Sequence, residues 1–167
     1  MLVISDNSPL SALAEIGLID LLPKVVVGVT ITASVVAECQ QAGAPAALRA
    51  WIANPPSWVS IVPDPGEFLQ ETAPLGAGEA SAITFAWNHR TESQLILDEK
   101  RGRAVARALG LPVTGLLAIV TEAAILGMIE LDDVLSKLSA AGFRLSPSLI
   151  EAARRKFREA GNSESRT

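Results

Sequence analysis

Cysteine and histidine each occur once, as Cys39 and His89. A single cysteine excludes an intrachain disulfide and a cysteine-based zinc cluster, and it suits a reducing cytosolic compartment. A single histidine excludes a paired-histidine acid/base mechanism and argues against a histidine-rich zinc site. The opening residues MLVISDN contain no basic stretch and reach Asp6 after a very short apolar run, which is not the pattern of a secretory signal. Pro112 and Glu122 interrupt the most apolar region, around Gly110 to Met128, so amphipathic helix explains it as well as a membrane span does. There is no internal repeat, no low-complexity block, and no GxGxxG or P-loop motif; Gly76-Ala77-Gly78 is too short a signal for a phosphate loop. A cytoplasmic location without membrane contact is expected.

What remains is a chain of 167 residues, 49% hydrophobic, which is long enough to bury one real core and short for two. One domain over residues 1–161 is expected, with a frayed tail at 162–167. The net charge of −4 argues against binding nucleic acid through the whole surface, so any polyanion must meet a local basic patch. Two such patches exist. Lys100, Arg101, Arg103 and Arg107 follow Asp98, and Arg154, Arg155, Lys156 and Arg158 lie near the C-terminus. A solvated helix face is the ordinary account of the second.

The pattern along the chain alternates strands and helices. Leu2 to Ser5 is an apolar run ending at Asp6, and Ser8-Pro9 offers a cap followed by proline at the first helical position. Leu10, Leu13, Ile16 and Leu18 keep roughly helical spacing, after which Val25 to Ile31 is β-branched and predicts a strand. Thr32 is placed to cap a helix carrying Val35, Val36 and Glu38. Ala44 to Ala53 predicts a helix stopped by Asn54-Pro55-Pro56, and Trp58 to Val62 a short strand. Pro63 to Gly78 should be the longest irregular segment, and Gly78 starts a helix on which Glu79, Ile83 and Trp87 share one stripe. Gln94 to Leu97 predicts a buried central strand ending at Asp98. A basic helix over 101–109, a strand over 112–114 and helices over 116–127, 131–140 and 147–161 complete the chain.

Asp6, Glu38, Glu79 and Asp98 each fall where a strand ends or on the helix that follows. In an open α/β sheet the ligand crevice lies at the carboxyl ends of the strands, so acids far apart in sequence can converge there. Convergence of like charges is costly without a cation. Magnesium and manganese take oxygen ligands and often bridge carboxylates to phosphate oxygens, which fits acids unaccompanied by cysteine or histidine. Such a site activates water and neutralises charge on phosphorus, so a nuclease needs no protein nucleophile. Each residue also has a simpler account. Asp6 could cap the first helix, Glu79 could complement a helix dipole, and Glu38 could be a solvated surface residue. Asp98 is the strongest case, because it ends an apolar strand and precedes a basic loop. Arg101 and Arg103 could contact phosphate, with Lys100 as a point charge, or could neutralise Asp98 and Glu99. His89 reads as a surface cap, and Trp51, Trp58 and Trp87 as core or interface anchors, although an exposed one could stack a base.

The segments VISDNSPLSALAEIGLIDLLP, ITASVVAECQ, GAGEASAITFAWN and LILDEKRGRAVARALGLPVTG together resemble a PIN-domain protein. More narrowly they resemble the DUF3368 branch, close to VapC-type toxins, and the ending AGFRLSPSLIEAARRKF looks like that branch's tail. The resemblance implies a three-layer α/β/α Rossmann-like fold with a short, mostly parallel sheet, and Mg²⁺ or Mn²⁺ held by acids. By motif, Asp6 matches the first-strand aspartate, supported by Ser8, and Glu38 matches the acid on the helix after the second strand. Glu79 stands where many PIN proteins have aspartate, and Asp98 matches the late-strand aspartate. Asp6, Glu79 and Asp98 are the implied metal ligands. Asn7 departs from the threonine or serine often found after the first acid, and the longer Glu79 places its oxygens differently. Both departures bear on rate more than on fold.

Three functions compete. The first is a metal-dependent endoribonuclease acting through Asp6, Glu38, Glu79 and Asp98, with Ser8, Lys100, Arg101 and Arg103 meeting the RNA. The resemblance implies the toxin of a type II toxin–antitoxin pair, a homodimer blocked by a small antitoxin protein. The second is a PIN-like module that binds RNA or a partner without cutting. The third, a phosphatase with Asp6 as nucleophile, usually needs a second acid two residues on, where this chain has Ser8.

Overall fold

Strand β1 (Leu2–Ser5) is buried from its second residue on, and β2 (Val29–Thr32) is buried throughout. Near-continuous burial is what a strand covered on both faces requires, and it is the mark of a parallel sheet. The computed structural model describes residues 1–164. Within them the five strands run in the order β3-β2-β1-β4-β5, with β3 at Val59–Val62, β4 at Ser93–Ile96 and β5 at Val113–Thr114. Every pairing is parallel; β1 lies beside β4 with Leu2 opposite Ser93 and Ser5 opposite Ile96. The class is α/β, as expected, and the sheet is wholly parallel rather than mostly so.

The order reverses direction between β1 and β4. Right-handed crossovers must then carry the β1-β2-β3 connections and the β3-β4-β5 connections on opposite faces, which is the three-layer α/β/α arrangement. The first half carries α1 (Asn7–Glu15), α2 (Leu22–Val26), α3 (Ala33–Cys39) and α4 (Ala46–Ala53); the second carries α5 (Ala77–Asn88) and α6 (Lys100–Ala108). Helix α5 lies against β1, β2 and β4, while α1 rests on α3 and α4. Ile4, Leu10, Leu13, Ile31, Val35, Ile83, Leu95 and Ile96 are sealed from solvent and make the centre of the core. Edge strand β3 is half exposed, short, and followed by Pro63, which limits pairing beyond it.

Internal contacts divide the chain into two units, one from Met1 to Gly115 and one from Leu116 onward. The second contains α7 (Leu116–Ile125), α8 (Leu131–Ala140) and α9 (Pro147–Glu164), with α7 against both of the others. Ser146 caps α9 by accepting the Leu149 N–H at 3.3 Å, and Pro147 opens the helix, as the sequence predicts. Arg154 pairs with Asp132 and Glu151, and Lys156 with Glu122 at 3.1 Å. Half of the C-terminal basic cluster is therefore engaged in ordinary surface ion pairs.

Several expectations require correction. Val25 and Val26 belong to α2, not to a strand: Pro23 sits in the first turn of that helix, and the β-branched preference gives way to it. The strand begins only at Val29, after a left-handed Val27 at φ 68°. Ser8 is not the cap of α1, because the helix already starts at Asn7 and Asp6 takes the cap position. Thr32 occupies the cap position of α3 without a capping bond from its hydroxyl. Helix α9 extends to Glu164, and the rest of the expected tail, 165–167, lies outside the described residues.

His89 ends α5 with its Nδ1 2.9 Å from the Phe85 carbonyl, the capping role expected of it. Trp51 and Trp58 pack with their rings tilted by 42° at 5.7 Å between centroids, and Arg90 lies 4.8 Å over the Trp87 ring. Among the described residues no helix is long and apolar enough to cross a membrane.

Candidate active site

Asp6 sits at the end of β1 beside the point where the strand order reverses, and its backbone N–H reaches the Ile96 carbonyl of β4 at 3.4 Å. Only 2% of the residue is exposed. Its side chain makes no capping bond to α1, and its Oδ1 is buried with no hydrogen-bond partner. The simple account of Asp6 as a helix cap therefore fails. Burial, then the charges of Glu79, Asp98, Glu38 and Glu99, hold its carboxyl well above the usual range.

Glu79 lies in the first turn of α5 and is half-buried, but its Oε1 is fully buried and also lacks a partner. Burial pushes its carboxyl up to about 7, with Glu99 and Glu38 adding to the rise. Two carboxylate oxygens are thus taken out of water with nothing to pair them. Buried polar atoms are otherwise nearly always satisfied, so such an orphan marks strain, an ordered water or a ligand's place; Trp51 Nε1 on α4 is a third.

Glu38, near the end of α3, does something else. Its Oε1 accepts the Gly78 N–H at 2.8 Å, satisfying a donor that the first turn of α5 leaves open. A Cβ at position 78 would lie 2.7 Å from the Glu38 Cδ and overlap its Oε2, so only glycine lets the carboxylate approach. The start of α5 is fixed a second time: Ser81 Oγ donates to the Gly78 carbonyl at 2.9 Å, which leaves Thr32 to donate to Ser81. Glu38 and Thr32 together set where Glu79 projects. The start of α3 is held in turn by Asp64, which accepts from the Ser34 N–H at 2.9 Å and from its hydroxyl at 2.7 Å.

Asp98 follows β4 but is exposed, and so are Glu99, Lys100 and Arg101. Arg103 is half-buried and donates to the Leu97 carbonyl at 3.3 Å, so part of its guanidinium is spent on the backbone. Ser8 is half-buried in the first turn of α1. Asn7 Oδ1 accepts from the buried Cys39 thiol at 3.3 Å, and burial raises that thiol to about 12, an inert rather than reactive cysteine.

The structure thus brings Asp6, Glu38, Glu79 and Asp98 into one electrostatic field, and adds Glu99. It does not bring the expected ligands Asp6, Glu79 and Asp98 into a ready cage: among the described residues no three acidic, histidine or cysteine side chains form a group that could hold a metal ion. The all-oxygen donors and the orphaned atoms of Asp6 and Glu79 fit a hard divalent cation; a third ligand would require a side chain to turn. Sequence reasoning missed Glu99, Gly78 and Gly102. The signal for Gly102 was an isolated glycine inside the helical pattern KRGRAVARA, which usually has a packing reason.

The acids gather at the switch point of an all-parallel Rossmann-like sheet, which defines an α/β protein of the class that binds its ligands outside the carboxyl ends of the strands. The chain belongs to the PIN-domain family DUF3368, whose family model matches residues 2–159. PIN domains are generally nucleases. Comparison with curated proteins and with solved structures gives no match.

Proposed function

We infer that the chain is a Mg²⁺- or Mn²⁺-dependent endoribonuclease, and that within its family it acts as the toxin of a type II toxin–antitoxin pair. The observation that carries the nuclease reading is the pair of buried, unpartnered oxygens, Asp6 Oδ1 and Glu79 Oε1, inside a field of five acids. Asp6 and Glu79 would hold the cation, with Asp98 turning in from the rim. Bound there, the ion would supply activated water and charge neutralisation at phosphorus. Glu38 keeps α5 in place so that Glu79 points inward. Exposed Lys100 and Arg101 open α6 beside Asp98, where they meet the RNA backbone and offset an otherwise repulsive surface. The toxin assignment, a cytoplasmic setting, a homodimer and a small antitoxin partner rest on the segments that resemble VapC-type proteins.

The second reading, a module that binds RNA without cutting, is favoured by one observation: no three described acids already form a metal-holding group. Cleavage of structured and single-stranded RNA with Mn²⁺, Mg²⁺ or EDTA separates the two. The expected result is metal-dependent products, reduced roughly a hundredfold or more by Asp6→Asn and by Asp98→Asn in folded protein. RNA binding indifferent to metal, with no products under any ion, selects the second reading.

A further inference from the structure

Gly102 lies in the first turn of α6, is buried, and has no conformational need to be glycine, since its φ is not in the left-handed region. A side chain there is excluded by something else. A Cβ at position 102 would lie 2.7 Å from the Glu79 Cδ and 3.3 Å from its Oε2, and would overlap Oε1 outright. No other group comes first against that position. The same closeness at Gly78 produces a hydrogen bond to Glu38, whereas at Gly102 the Glu79 Oε1 is sealed from water and left without a partner. The glutamate at 79 reaches one methylene further than an aspartate would, and the glycine at 102 leaves out one carbon in the place that reach occupies.

We propose that Gly102 is a positioning residue whose missing side chain seats the Glu79 carboxylate and keeps its Oε1 dry and turned into the acidic crevice. Positions 79 and 102 then form a matched pair: glutamate needs glycine opposite, and a shorter acid tolerates alanine. Swapping volume across the pair conserves packing, which cores tolerate far better than a one-sided change. Because the carboxylate is the end of a flexible side chain, a methyl at 102 expels it toward solvent rather than displacing α6. The effect on metal binding rests on the nuclease reading; the seat itself does not.

Four proteins test this: the wild type, Gly102→Ala, Glu79→Asp and the double variant. In metal-free crystals of Gly102→Ala the Glu79 carboxylate should be found turned out to solvent, away from the place its Oε1 fills in the wild type. Mn²⁺ affinity, measured by calorimetry, should fall about tenfold or more in Gly102→Ala, the scale of losing a positioning partner. In the Glu79→Asp background the same Gly102→Ala change should cost nothing further. Should Gly102→Ala fail to fold while the double variant folds, the pairing stands for the same reason. A Glu79 carboxylate that keeps its place in Gly102→Ala, or an equal loss in both backgrounds, would overturn the proposal and reduce Gly102 to helix packing. A displaced Glu79 carboxylate without Mn²⁺ binding by any of the four would keep the seat and remove the metal-dependent nuclease reading.

Discussion

Asp6 and Glu79 carry the unusual energetics of the molecule, because both are carboxyls whose charged form the fold opposes. Glu79 titrates near 7 in the fold against an ordinary 4.5, chiefly through burial. A group raised in this way contributes stability that is complete below about pH 4.5 and is lost as pH rises through 7. Asp6 acts with the same sign over a window that opens above its ordinary 3.8. Metal-free protein should therefore lose stability between pH 4.5 and 7, and Glu79→Gln should flatten part of that fall. Urea midpoints in EDTA across this range are the measurement; an unchanged slope in the variant would mean that residue 79 is not titrating there. Asp6, Glu79 and Asp98 were legible as candidates because acids that follow apolar strands in a Rossmann-like pattern must end near one edge. Which oxygens are orphaned was not legible, since that depends on what lies opposite in space.

At the scale of elements, the start of α5 is governed from α3. Removing the Glu38 acceptor leaves the Gly78 N–H without its partner, and Glu38→Ala should cost about 1 kcal/mol in urea unfolding, discounted for partial exposure. Glu38→Gln keeps an oxygen at the same reach and should recover most of that loss; equal losses in both would point to the charge rather than the cap. The sequence reading of Glu38 as a catalytic acid came from its place after the second strand and from the family motif it matches, and neither distinguishes a ligand from a remote cap. Strands β1, β2, β3, β4 and β5 were readable from short apolar or β-branched runs bounded by turns; β3 and β5 were begun one residue early, and β2 four. That error came from Val25 and Val26, whose preference for strand is weaker than a proline-started turn of helix packed on its neighbours. Gly102 was visible as a glycine within a helix, yet its occupant comes from α5, which no local pattern reveals.

On the scale of the whole chain, parallel topology does most of the positioning: it delivers the ends of β1 and β4 side by side before any site residue is chosen. Length and composition predicted a single domain over residues 1–161, and that expectation has a direct optical test. All three tryptophans, Trp51, Trp58 and Trp87, belong to the unit that ends at Gly115, while α7, α8 and α9 contain none. Intrinsic fluorescence therefore watches one unit and is blind to the other, whereas far-ultraviolet circular dichroism sums helices from both. Superimposable melting curves from the two signals are the expected outcome for one cooperative domain. Ellipticity lost while the tryptophan emission holds steady would instead mean that the C-terminal helices melt on their own, beyond the sight of the protein's only strong fluorophores.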